Sequence, residues 1–447
     1  MSNLIDLSRK LASGKLTSRA LVEQALANID NPAGEGSRAF LTVYRDQALS
    51  EAERVDTARR SGWPVAPFAG IALSIKDLFD VAGEVTRAGS HVLDEQAPAR
   101  ADADIVRSLR DAGFILVGKT NMTEFAYSGL GVNSHYGTPL SPFARDVGHI
   151  PGGSTSGGAV SVADNMAAAT IGTDTGGSCR IPAAFCGIVG FKPSSRRVSK
   201  RGAVPLSPTM DSIGPLARSV SCCAVLDSVL AGGIGQDEES FPEAGLRFGV
   251  LEGYTTEYLD PQVAESFQAA LTRLSQRGIR LTPVNFAELD ELPEVNRLGG
   301  IVGAEAYAWH RPFLESRGNF YDPWIKERFA AGKAQSAADY LDVVAHRERI
   351  VASVANRSRA FDALVMPTVQ ITPPRLSDMD DTELSNRANM LSLRNTAVGN
   401  FLDRPAISIP CHIPGTAPVG FMLMGETMAD RRLLSIARSV EFAVRAD

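Results

Sequence analysis

Three short segments carry residues that could do chemistry together. In "IGTDTGGSCRIPAAFCG" an apolar strand pattern ends near Thr173, two glycines permit a sharp turn, and Ser178 falls at the start of the next helical pattern. That turn lets the backbone amides of Thr175, Gly176, Gly177 and Ser178 converge on one point, where they could hold the oxyanion of a tetrahedral intermediate. In "GIALSIKDLFD" Lys76 ends an apolar run that reads as a buried strand, an unusual place for a lysine. Burial disfavours the ammonium form, so such a lysine can act as a general base. In "GHIPGGSTSGGA" a glycine-rich loop allows close backbone approach, so Ser154, Thr155 or Ser156 could stand between Lys76 and Ser178 and pass a proton. Each segment alone has a commoner structural reading: a serine-capped turn, a lysine reaching solvent, a flexible spacer. The three together are far more specific.

Other chemistries fit less well. "GFILVGKT" matches the spacing of a phosphate-cradling loop, but its four variable positions are the apolar strand itself, leaving no irregular turn of free amides. The six histidines lie far apart and no Cys-x-x-Cys occurs, so no metal site is expected. The serine-hydrolase elbow is absent, because residues 153–157 read Gly-Ser-Thr-Ser-Gly with Thr155 at the centre. A thiol hydrolase using Cys179 or Cys186 with Lys76 is the rival from another class, and a scaffold without activity is the non-enzymatic one.

These residues need a framework to position them. "ADIVRSLRDAG", "FILVGKT", "GGAVSVADNMAAAT" and "AATIGTD" read as helix, strand, helix and strand, the alternation of an α/β fold with parallel strands. Residues 1–60 read as a helical lead-in and residues 61–220 as the core that holds the three segments. Residues 245–355 carry long amphipathic patterns around the aromatic stretch "GNFYDPWIKERFAAG" and read as a helical cap. Residues 356–447 return to strands in "FDALVMPT", "PAISIP" and "PVGFMLMG" and finish in a helix. In 447 residues, 45 basic side chains face 51 acidic ones with no basic run, which argues against nucleic acid or anionic lipid as partner. No apolar stretch of signal-peptide or membrane-spanning length occurs, and the five cysteines include the adjacent Cys222 and Cys223, so a cytoplasmic protein with reduced thiols is expected.

Residues 151–194, from "PGGSTSGG" through "TDTGGSCRIPAAFCG" to "GFKPS", resemble the signature of the amidase signature family, and "GIALSIKDLFDVAG" resembles its lysine segment. "VGKTNMTEFAYSG", "RPAISIP" and "PVGFMLMGE" are also similar to its pattern. The resemblance implies one large α/β/α domain, residues 1–447, around a mixed, mostly parallel sheet. It implies a cofactor-independent amidohydrolase with a Ser–cis-Ser–Lys triad: nucleophile Ser178, bridging Ser154 after a cis peptide with Gly153, and base Lys76. Thr155 stands where many members have serine. Asp174 and Arg180 flank the turn with opposite charges and are expected to brace it.

The expected partner is a small amide substrate, with a homodimer, if any, as the assembly. "TEFAYSG" and the aromatics of residues 307–329 point to a pocket including Phe125, Tyr127 and Ser128 for an apolar or aromatic acyl group, as in the family's indoleacetamide-type hydrolases. The family's A-type components of the glutamine amidotransferases hold glutamine with an acid, where this sequence places Ala429 before Asp430, and with an arginine that has no obvious counterpart in the helical middle. A stand-alone amidase is therefore the preferred reading, with a component of an amidotransferase or a hydrolase of urea-derived amides as alternatives.

Overall fold

The computed structural model describes residues 3–235 and 241–446; residues 1, 2, 236–240 and 447 of the segments named above lie outside them. Eleven strands form one sheet: β1 (Phe40–Val43), β2 (Ala72–Lys76), β3 (Ile115–Thr120), β4 (Ala169–Asp174), β5 (Val189–Lys192), β6 (Ser212–Ala217), β7 (Arg247–Leu251), β8 (Arg280–Val284), β9 (Ala363–Pro367), β10 (Ala406–Pro410) and β11 (Gly420–Met424). Their order across the sheet is β1-β3-β2-β4-β6-β5-β10-β11-β9-β7-β8. Parallel pairing is concentrated at β3-β2-β4 and at β9-β7-β8, and the six other neighbouring pairs are antiparallel. The site segments belong to the first parallel group, where the near-continuous apolar runs of β2 and β4 are buried on both faces.

Because β2 and β4 run side by side in the same direction, Lys76 and Asp174, their last residues, emerge at the same edge of the sheet. In open α/β sheets, ligands bind outside such carboxyl ends. The helix Ser156–Ala163 packs on these strands, and its small residues let it approach closely. The amphipathic pattern of "ADIVRSLRD" forms the helix Asp104–Asp111, which stops at Gly113 with φ +83°.

The middle third differs from its helical reading. Its helices Gly300–Arg317, Pro323–Ala331 and Ala337–Ser358 are present, but β7 and β8 lie within the same stretch and form one end of the sheet. The physical reason is weak patterning: β8, "RLTPV", is an outer strand with mostly exposed residues, so no apolar alternation marks it. The helix Thr382–Phe401, whose polar residues Asn389, Asn395, Thr396 and Asn400 are buried, was also not marked by periodicity.

Candidate active site

Lys76 is fully buried. Its Nζ lies 2.7 Å from Ser154 Oγ and 2.9 Å from Thr173 Oγ1, and no carboxylate is within ion-pairing distance among the described residues. Burial is the main influence on this amine and pushes its pKa down from 10.5 to about 8, while Cys179, Asp174 and Asp211 act weakly in the opposite direction. Two further lysines are buried. Lys119 sits 3.3 Å from Asp77, and Lys192 donates to the Pro193 carbonyl. Lys76 thus differs in having hydroxyls as its partners. Thr173 escaped the sequence reading because it looks like one more residue of a β-branched strand.

The peptide between Gly153 and Ser154 is cis. Ser154 O accepts from Thr123 N at 3.1 Å, and a Cβ on Gly153 would meet Thr123 Oγ1 at 2.8 Å, so glycine is needed for this close approach. Thr155 N donates to Ser178 O at 3.3 Å, which fastens the glycine-rich loop to the turn that carries Ser178, while Ser156 opens the following helix. Ser154 is therefore the hydroxyl placed against Lys76. No hydrogen bond joins Ser154 to Ser178 among the described residues.

Ser178 lines a cavity of about 530 Å³ beyond the strand ends, together with Thr175 and Gly176. The amides of residues 175–178 donate to no backbone carbonyl among the described residues. Asp174 and Arg180 form a fully buried ion pair: Arg180 Nη2 lies 2.8 Å from Asp174 Oδ1 and Nε 3.0 Å from Oδ2. Burial alone would raise the Asp174 pKa, but the Arg180 charge and hydrogen bonds hold it down at about 2. Asn400 and the Cys179 amide complete the shell of this carboxylate. Asp211 accepts from Thr175 Oγ1 at 2.5 Å, and burial pushes its pKa up to about 6. Cys179 and Cys186 are buried, neither lines the cavity, and burial pushes both thiols far above their ordinary range.

The rest of the cavity is largely apolar, with Leu206, Met210, Val302, Leu393 and Phe401 in its wall. Tyr127 and Ser128 line it as expected, but Phe125 does not. With φ +47° the backbone turns the Phe125 ring into an aromatic cluster with Trp309, His310, Tyr321 and Phe329, so it supports the wall from behind. Buried Glu124 fastens this wall to the cap, accepting from Ser90, His135 and the Asp322 amide.

The helical middle does place an arginine at the cavity. Arg328 stacks over Tyr127 at 4.7 Å and over Trp324 at 4.9 Å, and its buried Nε has no acceptor among the described residues. Sequence reading missed it because "KERF" looks like an ordinary charged helix face. Arg394 also lines the cavity but is paired with Glu257. Among the described residues, no Asp or Glu belongs to the cavity wall. Asp430 instead accepts from the Ser194 amide and hydroxyl at the start of the last helix.

The family model for Amidase matches residues 20–434. The chain is 34% identical to 2-amino-5-chloromuconic acid deaminase of Comamonas testosteroni, over 98% of this chain and 96% of that protein. It is 31% identical to the A component of glutamyl-tRNA(Gln) amidotransferase of Synechococcus sp. (strain CC9605), over 98% and 95%. Among solved structures, the native peptide amidase of Stenotrophomonas maltophilia superposes with a TM-score of 0.82 at 27% identity, covering 100% of this chain and 97% of that one. A match over most of the chain, on a fold shared with amidases, makes this protein a member of the amidase signature family and a hydrolase of amide C–N bonds.

Proposed function

We propose that the protein hydrolyses the amide of a small, largely apolar carboxylic acid that carries a second, anionic group, releasing ammonia or an amine through an acyl-enzyme on Ser178. The observation that carries the catalytic part is the 2.7 Å contact of Ser154 Oγ with a buried lysine whose partners are hydroxyls. With a pKa of about 8, Lys76 is neutral in about a tenth of molecules at pH 7, enough to start the relay. Neutral Lys76 takes the Ser154 proton while Ser154 takes that of Ser178. Ser178 Oγ bonds to the amide carbon, and the negative charge on its oxygen settles on the amides of residues 175–178. The proton returns along the same path to the leaving nitrogen, the C–N bond breaks, and water then cleaves the ester. The Ser154–Ser178 link is the part of the relay that a bound substrate draws tight, since catalytic hydrogen bonds commonly lengthen without substrate.

Arg328 and the mostly apolar wall support the substrate part. A guanidinium with no carboxylate partner among the described residues, at the edge of an apolar cavity, is matched by a substrate carboxylate, and Tyr127 and Trp324 hold its plane in place. An apolar or aromatic acyl group suits the rest of the wall, and the relative from Comamonas testosteroni is likewise named for an acid. A free α-amino acid such as glutamine suits the cavity less well, because its ammonium would meet two arginines and no carboxylate. The same reading makes the chain one catalytic unit that acts alone in the cytoplasm, as monomer or homodimer.

The test is ammonia release from matched amides with and without a terminal carboxylate, glutamine among them, alongside fluorophosphonate labelling. Labelling at Ser178 and faster turnover of the carboxylate-bearing amides are expected. Labelling of a cysteine would sink the serine reading, and preference for uncharged amides would sink the Arg328 reading.

A further inference from the structure

The C=O and N–H of one peptide point in opposite directions, so whatever holds a carbonyl also aims the amide that follows it. In the turn after β4, Asp174 O is held by Ser212 Oγ at 2.9 Å and by Asn400 Nδ2 at 3.0 Å. Gly177 O accepts from the amides of Arg180 and Ile181, at the start of the next helix. Gly176 O is held from outside the turn by the hydroxyl of Thr396, at 2.6 Å. Thr396 lies in the helix 382–401 and is fully buried. A threonine within a helix ordinarily turns its hydroxyl back to its own helix, and here Leu393 O at 3.2 Å and Ser392 O at 3.4 Å offer that choice. The hydroxyl has one proton, and the shortest contact is to Gly176 O. There is no slack in this contact, because a Cβ on Gly177 would run into Thr396 Oγ1.

We infer that Thr396 is a positioning residue for the reaction: by holding Gly176 O it aims the Gly177 N–H into the cavity, where that amide serves the oxyanion. The role rests on the proposed use of Ser178 as nucleophile. Thr396 touches no reacting atom and stands 220 residues beyond Gly176 along the chain.

Thr396→Val keeps the shape and removes the donor. Losing one oxyanion donor outright costs about a hundredfold to a thousandfold in rate, and a misaimed donor should cost about tenfold to a hundredfold in kcat. KM should stay within about twofold, because the contact matters in the transition state rather than in the ground state. A boronic acid that adds to Ser178 as a tetrahedral adduct should lose affinity in step with kcat, while the product acid should bind as before. The midpoint of the pH–rate curve should not move, and Thr396→Ser should restore turnover. Wild-type kcat in Thr396→Val, or equal losses for boronate and product acid, would overturn the role. Thr396→Cys, with a weaker donor, should fall between the two, and a Thr396→Cys enzyme at full kcat overturns it even where Thr396→Val does not fold. A wild-type enzyme that is not labelled at Ser178 would overturn the nucleophile assignment itself, a result distinct from a labelled enzyme indifferent to Thr396.

Discussion

The floor and the wall of the cavity are built on opposite plans. In the floor, around the turn after β4, the buried charges and most of the polar groups that brace the site are matched within the protein, Asp174 with Arg180 and Asn400, Thr175 with Asp211, Gly176 with Thr396, and Lys76 with Ser154 and Thr173, although Thr155 Oγ1 has no partner among the described residues. In the wall contributed by the cap, apolar side chains surround Arg328, whose Nε has no match among the described residues. A matched floor holds its groups in place before substrate arrives, which is what electrostatic catalysis needs. An unmatched wall leaves binding energy for a substrate to supply, which is what specificity needs. Under the proposed function, the strand ends set the reaction and the cap sets the choice of amide.

Substitutions can break or sharpen that contrast. Removing the nucleophile in Ser178→Ala should have the largest effect, a loss of about a millionfold in kcat by analogy with other nucleophilic serines, with the protein folded and still binding its product acid. Burst kinetics with an activated ester would check it, and a substantial burst in the variant would place the nucleophile elsewhere. Lys76→Met should lower kcat by about a hundredfold to ten-thousandfold, the usual contribution of a general base. It should not lower the thermal midpoint much, since an apolar side chain suits that buried site. The wild-type rate should climb as pH rises through about 8, where Lys76 loses its proton, and level off above. A rate that falls steadily from pH 6 to 9 in a stable enzyme would contradict the relay.

Asp174→Asn attacks the matching of the floor rather than its chemistry. It leaves Arg180 buried without its counter-charge and should cost about 3–5 kcal/mol of stability in urea unfolding. The Asp174 pKa is held down at about 2, so the stability it lends is present above its unfolded value near 3.8 and lost as pH falls toward 2. The variant should lose that part of the acid unfolding limb, and an unchanged acid limb would mean that the pair does not stabilise the fold. The mildest change is in the wall. Arg328→Gln should raise KM for carboxylate-bearing amides by about tenfold to a hundredfold, the worth of one charged hydrogen bond, with kcat and the thermal midpoint nearly unchanged. Equal loss for charged and uncharged amides would remove Arg328 from substrate recognition.

Much of the floor was legible in the sequence. Ser178 and Lys76 stand in local contexts that are odd on their own terms, a serine behind paired glycines and a lysine ending an apolar strand, and local oddity survives without knowledge of the fold. Asp174 and Arg180, expected to brace the turn, form a buried ion pair. The wall was hardly legible. Phe125 was expected at the cavity, yet a positive φ turns its ring away, and Arg328 was overlooked on a helix face that looks ordinary. Which residues of a cap face a cavity depends on helix orientation, a long-range property that no short window encodes.

The sequence by itself determined the elements around the first parallel group and the residues at their ends: β2 closing in Lys76, β4 opening into the glycine turn, and a small-residue helix able to press against both. Strand alternation, glycine freedom and burial of apolar runs are local properties, so these could be read directly. Only the tertiary structure decided which of Ser154, Thr155 and Ser156 meets the lysine, that Thr173 shares it, and that Thr396 reaches the turn after β4. It also decided that Arg328 of the cap comes to the cavity with no acceptor for its Nε among the described residues. Those outcomes depend on where distant segments come together in space, and a hydroxyl or guanidinium takes its role from the neighbour it finds there rather than from its neighbours along the chain.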